Sequence, residues 1–429
     1  MTITRERPLV HSWPDLESTP TAGPGARVAR RLFRSAVSRL AVTVHVARGA
    51  SYPAETLGRG GPEMHVNRPD ELFARIARDQ LIGFGEAYLT GAWDEGPNAP
   101  DGALGDFLTV LAAEIATLVP RPLQALRSAV VSRVPSTHRG SRSTTRDNVA
   151  HHYDLSNDLF ALFLDPTLSY SAALFDDPTS AAAGDLPAGQ HRKIDRLLDQ
   201  AGVTQGTRLL EIGTGWGELA IRAAERGAYV HTITLSSEQL ALARHRIAEA
   251  GQTDRVEVEL LDYRALLDSP VTAAAYDAVV SVEMIEAVGW RFWPTYFRTL
   301  DHVLAPGGKV ALQAITMPHD RMLATRDTHT FITKYVFPGG ALPSVRAIEE
   351  TAARHTTLQV VDQLSLGAHY DRTLQLWDDA FTAAGADVAA LGFDGTFRRL
   401  WHFYLEYSRA GFASGYIDDH QITLAREAR

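Results

Sequence analysis

Three glycines in the segment LLEIGTGWGELA, Gly213, Gly215 and Gly217, stand where an apolar run of strand character gives way to a helical pattern. Glycine at such a turn lets the backbone bend tightly and approach a ligand that a Cβ would hold off. The spacing is G-x-G-x-G, which differs from the G-x-G-x-x-G of dinucleotide binders. Thr234, Leu235 and Ser236 close the next run, where a nicotinamide ribose would need an acid. Glu211 lies just before the first glycine, and Asp262 and Tyr263 follow a third apolar run. Further on, SVEMIEAVG carries two carboxylates, Glu283 and Glu286, at the end of a fourth. A carboxylate at a strand end can accept a proton from a reacting molecule, or it can simply open a helix.

These groups need a sheet to hold them. TRLLEIG (207–213), AYVHTITL (228–235), VEVELLDY (256–263), YDAVVSVEM (276–284) and, after a turn at APGG, KVALQAIT (309–316) read as strands. GELAIRAAERG (217–227) and SEQLALARHRIAEAG (237–251) read as helices between them. The alternation predicts a parallel sheet with helices on both faces and a ligand at the carboxyl ends of its strands.

At 429 residues and 45% apolar content the chain is long enough for two or three domains. It has no cysteine, which excludes disulfides, thiolate metal sites and a cysteine nucleophile and fits a reducing cytosol. Lysine supplies three of the 42 cations, a compositional bias to which no function attaches. The net charge of −9 is uneven: residues 1–150 carry 18 arginines against 15 acids, and the rest of the chain carries −12. ARVARRLFRSAVSRL reads as a basic amphipathic helix over 27–40, with Val28, Leu32, Phe33, Ala36, Val37 and Leu40 at helical spacing. LAVTVHVAR (40–48) alternates like a strand, PDELFARIARD (69–79) reads as a helix with Asp70 as N-cap, and residues 102–119 read as an apolar helix. Six arginines and no acid between Arg121 and Arg146, with linker composition in the latter half, mark a boundary. The expectation is a mixed α+β accessory domain with basic linker over 1–140, serving lipid docking or dimerisation, and a catalytic domain over 141–429. No signal-peptide core and no 18-residue apolar run is present.

Glu211 before the glycines, the acid and aromatic of LLDYRAL, and YDAVVSVEM followed by LAPGGKVAL together resemble a class I S-adenosylmethionine-dependent methyltransferase. That resemblance implies an α/β, Rossmann-like domain with a seven-stranded, mostly parallel sheet. It puts the cofactor's amino acid part near Gly213 and Gly215, its ribose near Thr234, Leu235 and Gln239, and its adenine near Asp262 and Tyr263. Glu211, Tyr170 and Ser171 complete the set. Longer words narrow the resemblance. NVAHHYDLSNDLFALFLDPTLSYSAALF (148–175), EIGTGWGELA (211–220), TLSSEQ (234–239), SVEMIEAVG (281–289), TKYVFPGGALPS (333–344) and HYDRTLQLW (369–377) resemble the cyclopropane fatty acid synthase and mycolic acid methyltransferase family. IGFGEAYLTGAW (82–93) resembles a segment of the longer bacterial synthases, which carry an extra N-terminal domain. SVEMIEAVG and LQAITMPHDRMLATR are similar to the actinobacterial branch implicated in tuberculostearic acid formation. Its members methylate an oleoyl chain to a 10-methylene product, which a partner reductase saturates.

The family's chemistry implies the following roles. A plain alkene is a poor nucleophile, so the sulfonium methyl must be held against the double bond. The resulting carbocation sits in an apolar channel, where aromatic faces can stabilise it. Tyr170, Phe292, Trp293, Tyr335, Phe337 and Tyr370 are candidates, although for any one of them an ordinary core role is the commoner use of an aromatic. Loss of a proton from the new methyl then gives a cyclopropane directly, or an exocyclic methylene after a hydride shift. Both outcomes need a base and no water. In the family the base is a bicarbonate held by a glutamate, a histidine, a tyrosine and backbone amides. The resemblance therefore implies Glu286 and Tyr370 as its partners, with Ala172 and Ile315 supplying amides. Ala172 replaces a family cysteine, and Gln313 replaces a histidine and cannot carry charge. Without the anion, Glu286 becomes the base, and Glu286→Gln is expected to abolish product while sparing cofactor affinity. Glu283 is the second carboxylate. His151 and His152 would order the cofactor lid or the core, and no metal site is expected.

The expected activity is thus methyl transfer from S-adenosylmethionine to unsaturated phospholipid acyl chains, with the protein cytoplasmic and peripheral at the inner face of the membrane. A partner reductase and a homodimer belong to this expectation, and nucleic acid does not. Three alternatives stand beside it: cyclopropane formation on the same lipid, methylation of a soluble or carrier-bound substrate, and a cofactor-binding regulatory subunit of a lipid reductase.

Overall fold

In the computed structural model, which describes residues 13–21, 23–118 and 156–426, the chain divides into two units. The first comprises residues 1–132, 329–334 and 374–416. Its short runs pair as β1 (Thr43–Val46), β2 (Glu55–Gly58), β3 (Glu63–Val66) and β4 (Trp93–Asp94), in the order β2-β1-β3-β4. Linear reading assigned everything after 141 to one domain, yet the helix Gly395–Ala413 belongs with the first unit. The reason is polar as well as apolar: buried Glu406 accepts from the Gly105 amide at 2.6 Å, and Arg409 reaches Asp106 at 2.7 Å.

Asp70 does not cap its helix. Arg68 is the N-cap of Pro69–Leu89, and the Asp70 carboxylate accepts from the Ala50 amide at 2.7 Å instead. This element runs on past the predicted helix 69–79, with a kink at Asp79 and Gln80, where φ reaches +53°. The basic helix forms over Pro24–Val37 and buries Ala26, Ala29 and Val37. Val28 and Leu32, expected on its apolar face, are instead 59% and 44% exposed beside exposed Arg27 and Arg31. Parallel pairing of β1 with β3 sets His45 opposite His65 and gathers His45, Glu63 and His65 with possible ligand atoms within 4.8 Å of one another. Linear spacing could not reveal that grouping. The basic linker at 121–146 and His151 and His152 lie outside the described residues.

The second unit comprises residues 133–328, 335–373 and 417–429. Its strands are β5 (Arg208–Ile212), β6 (Tyr229–Thr234), β7 (Val256–Leu260), β8 (Tyr276–Val282), β9 (Leu304–Thr316), β10 (Leu358–Ser365) and β11 (Asp418–Arg426). They form one seven-stranded sheet in the order β10-β11-β9-β8-β5-β6-β7. β5 to β9 pair in parallel, and β11 lies antiparallel between β9 and β10. The APGG words do not form a turn before β9. They lie within it, as an irregularity in the pairing between Tyr276 and Ala278. Alternation along each strand feeds two cores. Leu210, Ile212 and Leu312 pack with Phe297 and Leu300 in one cluster, while Leu209, Val280 and Ala311 pack with Ile194 and Leu197 in another. β5 lies between β6 and β8, so successive connections leave it in opposite directions, and its carboxyl end is the switch point at which open α/β sheets bind ligands.

Candidate active site

At that switch point the chain turns through Gly213, Gly215 and Gly217 with φ of +103°, +52° and +93°. A Cβ on Gly213 would lie 2.6 Å from Cγ of Met284, so the turn touches the segment that carries Glu283 and Glu286. Of the other predicted cofactor residues, Thr234, Leu235 and Gln239 lie at and after the end of β6, and Asp262 and Tyr263 follow β7. Thr234 Oγ1 donates to Gln239 Oε1 at 3.0 Å, with half-buried Leu235 between them in sequence. Asp262 caps the helix Tyr263–Leu267, and its oxygens also hold Arg264 at 2.9 and 2.5 Å. Tyr263 is buried edge-on against Tyr296 at 5.4 Å, and Tyr170 lies edge-on to Phe160 at 5.1 Å. Glu211 is 3% exposed, and its Oε2 has no hydrogen-bond partner among the described residues. Burial pushes this carboxyl up to about 8, so a cation beside it would hold it ionised. A cationic S-adenosylmethionine fits this set: an unsatisfied acid, a turn of positive-φ glycines, and open space where a Cβ on Gly215 would stand.

The carboxylate centre differs from the expectation in one decisive respect. The Tyr370 hydroxyl donates to Glu283 Oε2 at 2.8 Å, not to Glu286. Glu283 Oε1 accepts from the Ala172 amide and from Gln313 Nε2, each at 3.0 Å. Ile315 gives its amide to Glu286 Oε1 at 2.6 Å, and Glu286 Oε2 is shielded from solvent without a partner among the described residues. Gln313 Nε2 also reaches Asp419 Oδ2 at 2.9 Å, and Gln421 donates to Gln313 Oε1 at 3.2 Å, which fixes the amide's orientation. Lys193, 2% exposed on the helix Leu186–Ala201, donates to Ser171 Oγ at 2.5 Å. Thus Ala172, Gln313, Ile315 and Tyr370 do converge, but on two carboxylates. Asp419 and Lys193 join a centre in which they were not expected.

The electrostatics follow from this crowding. Burial raises Glu283, opposed by Tyr370, Ala172 and Lys193. Burial, and then the charges of Glu283 and Glu286, raise Asp419 well above the carboxylate range. Burial also lowers Lys193 to about 8 against the pull of those acids. The bicarbonate does not fit. The donors implied for it, the amides of Ala172 and Ile315 and the hydroxyl of Tyr370, are already spent on Glu283 and Glu286. Two aromatic candidates are also occupied otherwise: Trp293 is buried and donates to Ile285 O at 3.1 Å, and Arg264 covers Phe292 at 5.7 Å. Tyr335 and Phe337 are half-buried.

Burial, then the charge of Glu283, push Glu286 up to about 8 from an ordinary 4.5. Across that window the folded protein holds a proton that the unfolded chain has released, so this group's contribution to stability is lost as pH rises toward 8. Glu286→Gln removes the ionisation. Urea unfolding is expected to show the variant gaining on the wild type by on the order of 3 kcal/mol between pH 5 and pH 8.

Comparison with known proteins agrees with this architecture. Residues 140–422 match the family described as mycolic acid cyclopropane synthetase. The chain is 50% identical over 426 residues to tuberculostearic acid methyltransferase UfaA1 of Mycobacterium tuberculosis, covering 97% of this chain and 95% of that protein. It is 31% identical over 370 residues to the cyclopropane-fatty-acyl-phospholipid synthase of Escherichia coli, covering 86% and 89%. Among solved structures, the cyclopropane synthase MmaA2 of Mycobacterium tuberculosis matches with a TM-score of 0.59 at 31% identity, covering 66% of this chain and 98% of that one. With the glycine turn, the strand order and the converging acids in place, the chain belongs to the cyclopropane fatty acid synthase and mycolic acid methyltransferase family.

Proposed function

We propose that this chain is an S-adenosylmethionine-dependent methyltransferase acting on the cis double bond of oleoyl-type phospholipid acyl chains, with a 10-methylene acyl group as product. The observation that carries this reading is a group of acids, buried Asp419 with half-buried Glu283 and Glu286, held by Tyr370, Gln313 and two backbone amides directly beside the glycine turn. The extensive identity with a tuberculostearic acid methyltransferase supports the choice of product.

S-adenosylmethionine supplies an electrophilic methyl group when bound. Gly213 and Gly215 let the backbone approach it, Thr234, Leu235 and Gln239 line the end of β6, and Asp262 and Tyr263 follow β7. Glu211 offers it negative charge. Tyr170 and Ser171 stand on the segment whose next residue, Ala172, donates to Glu283. Glu283, Glu286 and Asp419 give the proton of a cation on the lipid somewhere to go, and desolvation around all three raises their affinity for it.

No helix among the described residues is long and apolar enough to cross a membrane. A substrate held in a bilayer calls for docking at the membrane surface. The helix Pro24–Val37, with Val28 and Leu32 exposed beside Arg27 and Arg31, suits the inner, anionic face of a cell membrane. A reductase that saturates the methylene group is the partner this chemistry calls for, and a homodimer through the first unit is compatible with it.

The test is expression of the chain in a host rich in oleoyl phospholipid. Mass spectrometry should find acyl chains heavier by one CH2, and ozonolysis should cleave them at a new exocyclic double bond. A ring resistant to ozone would instead support the cyclopropane reading, and unmodified oleate in the presence of folded protein would refute both.

A further inference from the structure

We propose that Glu283 is the proton acceptor of the reaction, its carboxylate filling the place at which a bound bicarbonate was expected. This inference rests on the methyl-transfer reading above. Three donors of different kinds converge on the side chain: a backbone amide at Ala172, a carboxamide at Gln313 and a phenol at Tyr370. They come from three separate parts of the second unit and hold one carboxylate in one orientation. A carboxylate offers about four lone-pair positions. Two on Oε1 and one on Oε2 are used, which leaves one on Oε2 for an incoming proton.

The backbone at Glu283 carries the second argument. Its φ is +50°, in the left-handed region where glycine is the ordinary choice. A side chain kept there against that preference is accounted for by what the side chain does, and such conformations gather at functional sites. Met284, the next residue, is the one that meets Gly213 of the cofactor turn. Glu286 has neither feature: it follows the turn on the short helix Ile285–Val288, and its one hydrogen-bonded oxygen takes the Ile315 amide.

The step balances without a further reactant. The carbon–sulfur bond of the donor breaks as the methyl bonds to one alkene carbon, which leaves the lipid's other alkene carbon cationic. A hydride shift moves the charge next to the new methyl. One methyl C–H bond then breaks, its electron pair becomes the exocyclic C=C, and its proton passes to Oε2 of Glu283.

Two measurements on the full chain, with S-adenosylmethionine and oleoyl phospholipid vesicles, test this. In degassed, CO2-free buffer the wild type should form product at the same rate with and without added bicarbonate. Glu283→Gln keeps shape and one acceptor oxygen but loses basicity. It should form product about 10²–10⁴-fold more slowly, while S-adenosylhomocysteine binds it, by calorimetry, within about twofold of wild type. Wild-type turnover that stops without bicarbonate and returns on its addition would overturn the proposal. So would a Glu283→Gln variant that turns over at the wild-type rate. A wild type that makes no product under either condition would instead refute the methyl-transfer reading itself.

Discussion

Replacing Lys193 by methionine is expected to shift the acid limb of the pH–activity profile upward by about 1 to 3 units, because a nearby cation is what holds a buried acid ionised. The lysine is enclosed on the helix Leu186–Ala201 and is felt by Glu283, Asp419, Asp165 and Glu211. Its own lowering to about 8 says that burial outweighs those four attractions, yet at neutral pH it still carries a proton. Methionine fills a similar volume without charge. Glu283 then has the donors of Ala172, Gln313 and Tyr370 but no cation, and its raised titration moves further up. If Glu283 accepts the proton, turnover at pH 7 should fall at least tenfold and recover partly toward pH 9. The stability sign is separate. Acids with raised folded values lose their contribution as pH rises, so the variant should lose stability more steeply than wild type between pH 6 and pH 8. An activity profile parallel to the wild type would show that Lys193 only packs.

The different legibility of these residues has a physical origin. The glycine turn can be read in sequence because its requirement is local: positive φ at Gly213, Gly215 and Gly217 excludes most other residues there. The strands can be read because their alternation is local too, and β5 to β8 fall close to where periodicity puts them. The split between Glu283 and Glu286 is not local. It depends on Gln313 arriving on β9, Tyr370 on the helix Gly367–Ala383 and Asp419 on β11, strands and helices far apart in the chain. Family words favoured Glu286 through its I-E-A-V-G context, whereas the left-handed backbone at Glu283 leaves no mark that a single sequence displays.

Lys193 did leave a signal. Leu186, Gln190, Lys193, Ile194 and Leu197 all lie buried on one helix, so a lysine stands within an otherwise mainly apolar stripe. In a chain with only three lysines that placement carried more meaning than the bias itself. The basic helix shows the reverse case. Periodicity there identified the element correctly but assigned Val28 and Leu32 to the buried face, because Ala26 and Ala29 offer the smaller side chains that close packing against the first unit accepts.

Alanine at Gly213 and at Gly215 should separate backbone strain from ligand contact. At Gly213 the φ of +103° lies outside the left-handed well that L residues tolerate, and the new Cβ would stand 2.6 Å from Met284 Cγ and 2.8 Å from its sulfur. Strain of about 1–3 kcal/mol therefore appears in the apo protein as a lower denaturant midpoint. Displacing Met284 also disturbs both neighbouring acids, so product formation should fall by about 10²-fold or more. Gly215 is different: its φ of +52° is within the left-handed well, and among the described residues no atom beyond its chain neighbours lies within 4 Å of an added Cβ. Gly215→Ala should cost the apo protein only about 1–2 kcal/mol. If the cofactor backs onto that open space, S-adenosylhomocysteine affinity should drop at least tenfold in Gly215→Ala, a loss beyond what its apo stability explains. Calorimetric titration decides it: unchanged affinity in a folded Gly215→Ala protein would mean that the cofactor does not approach the turn at Gly215.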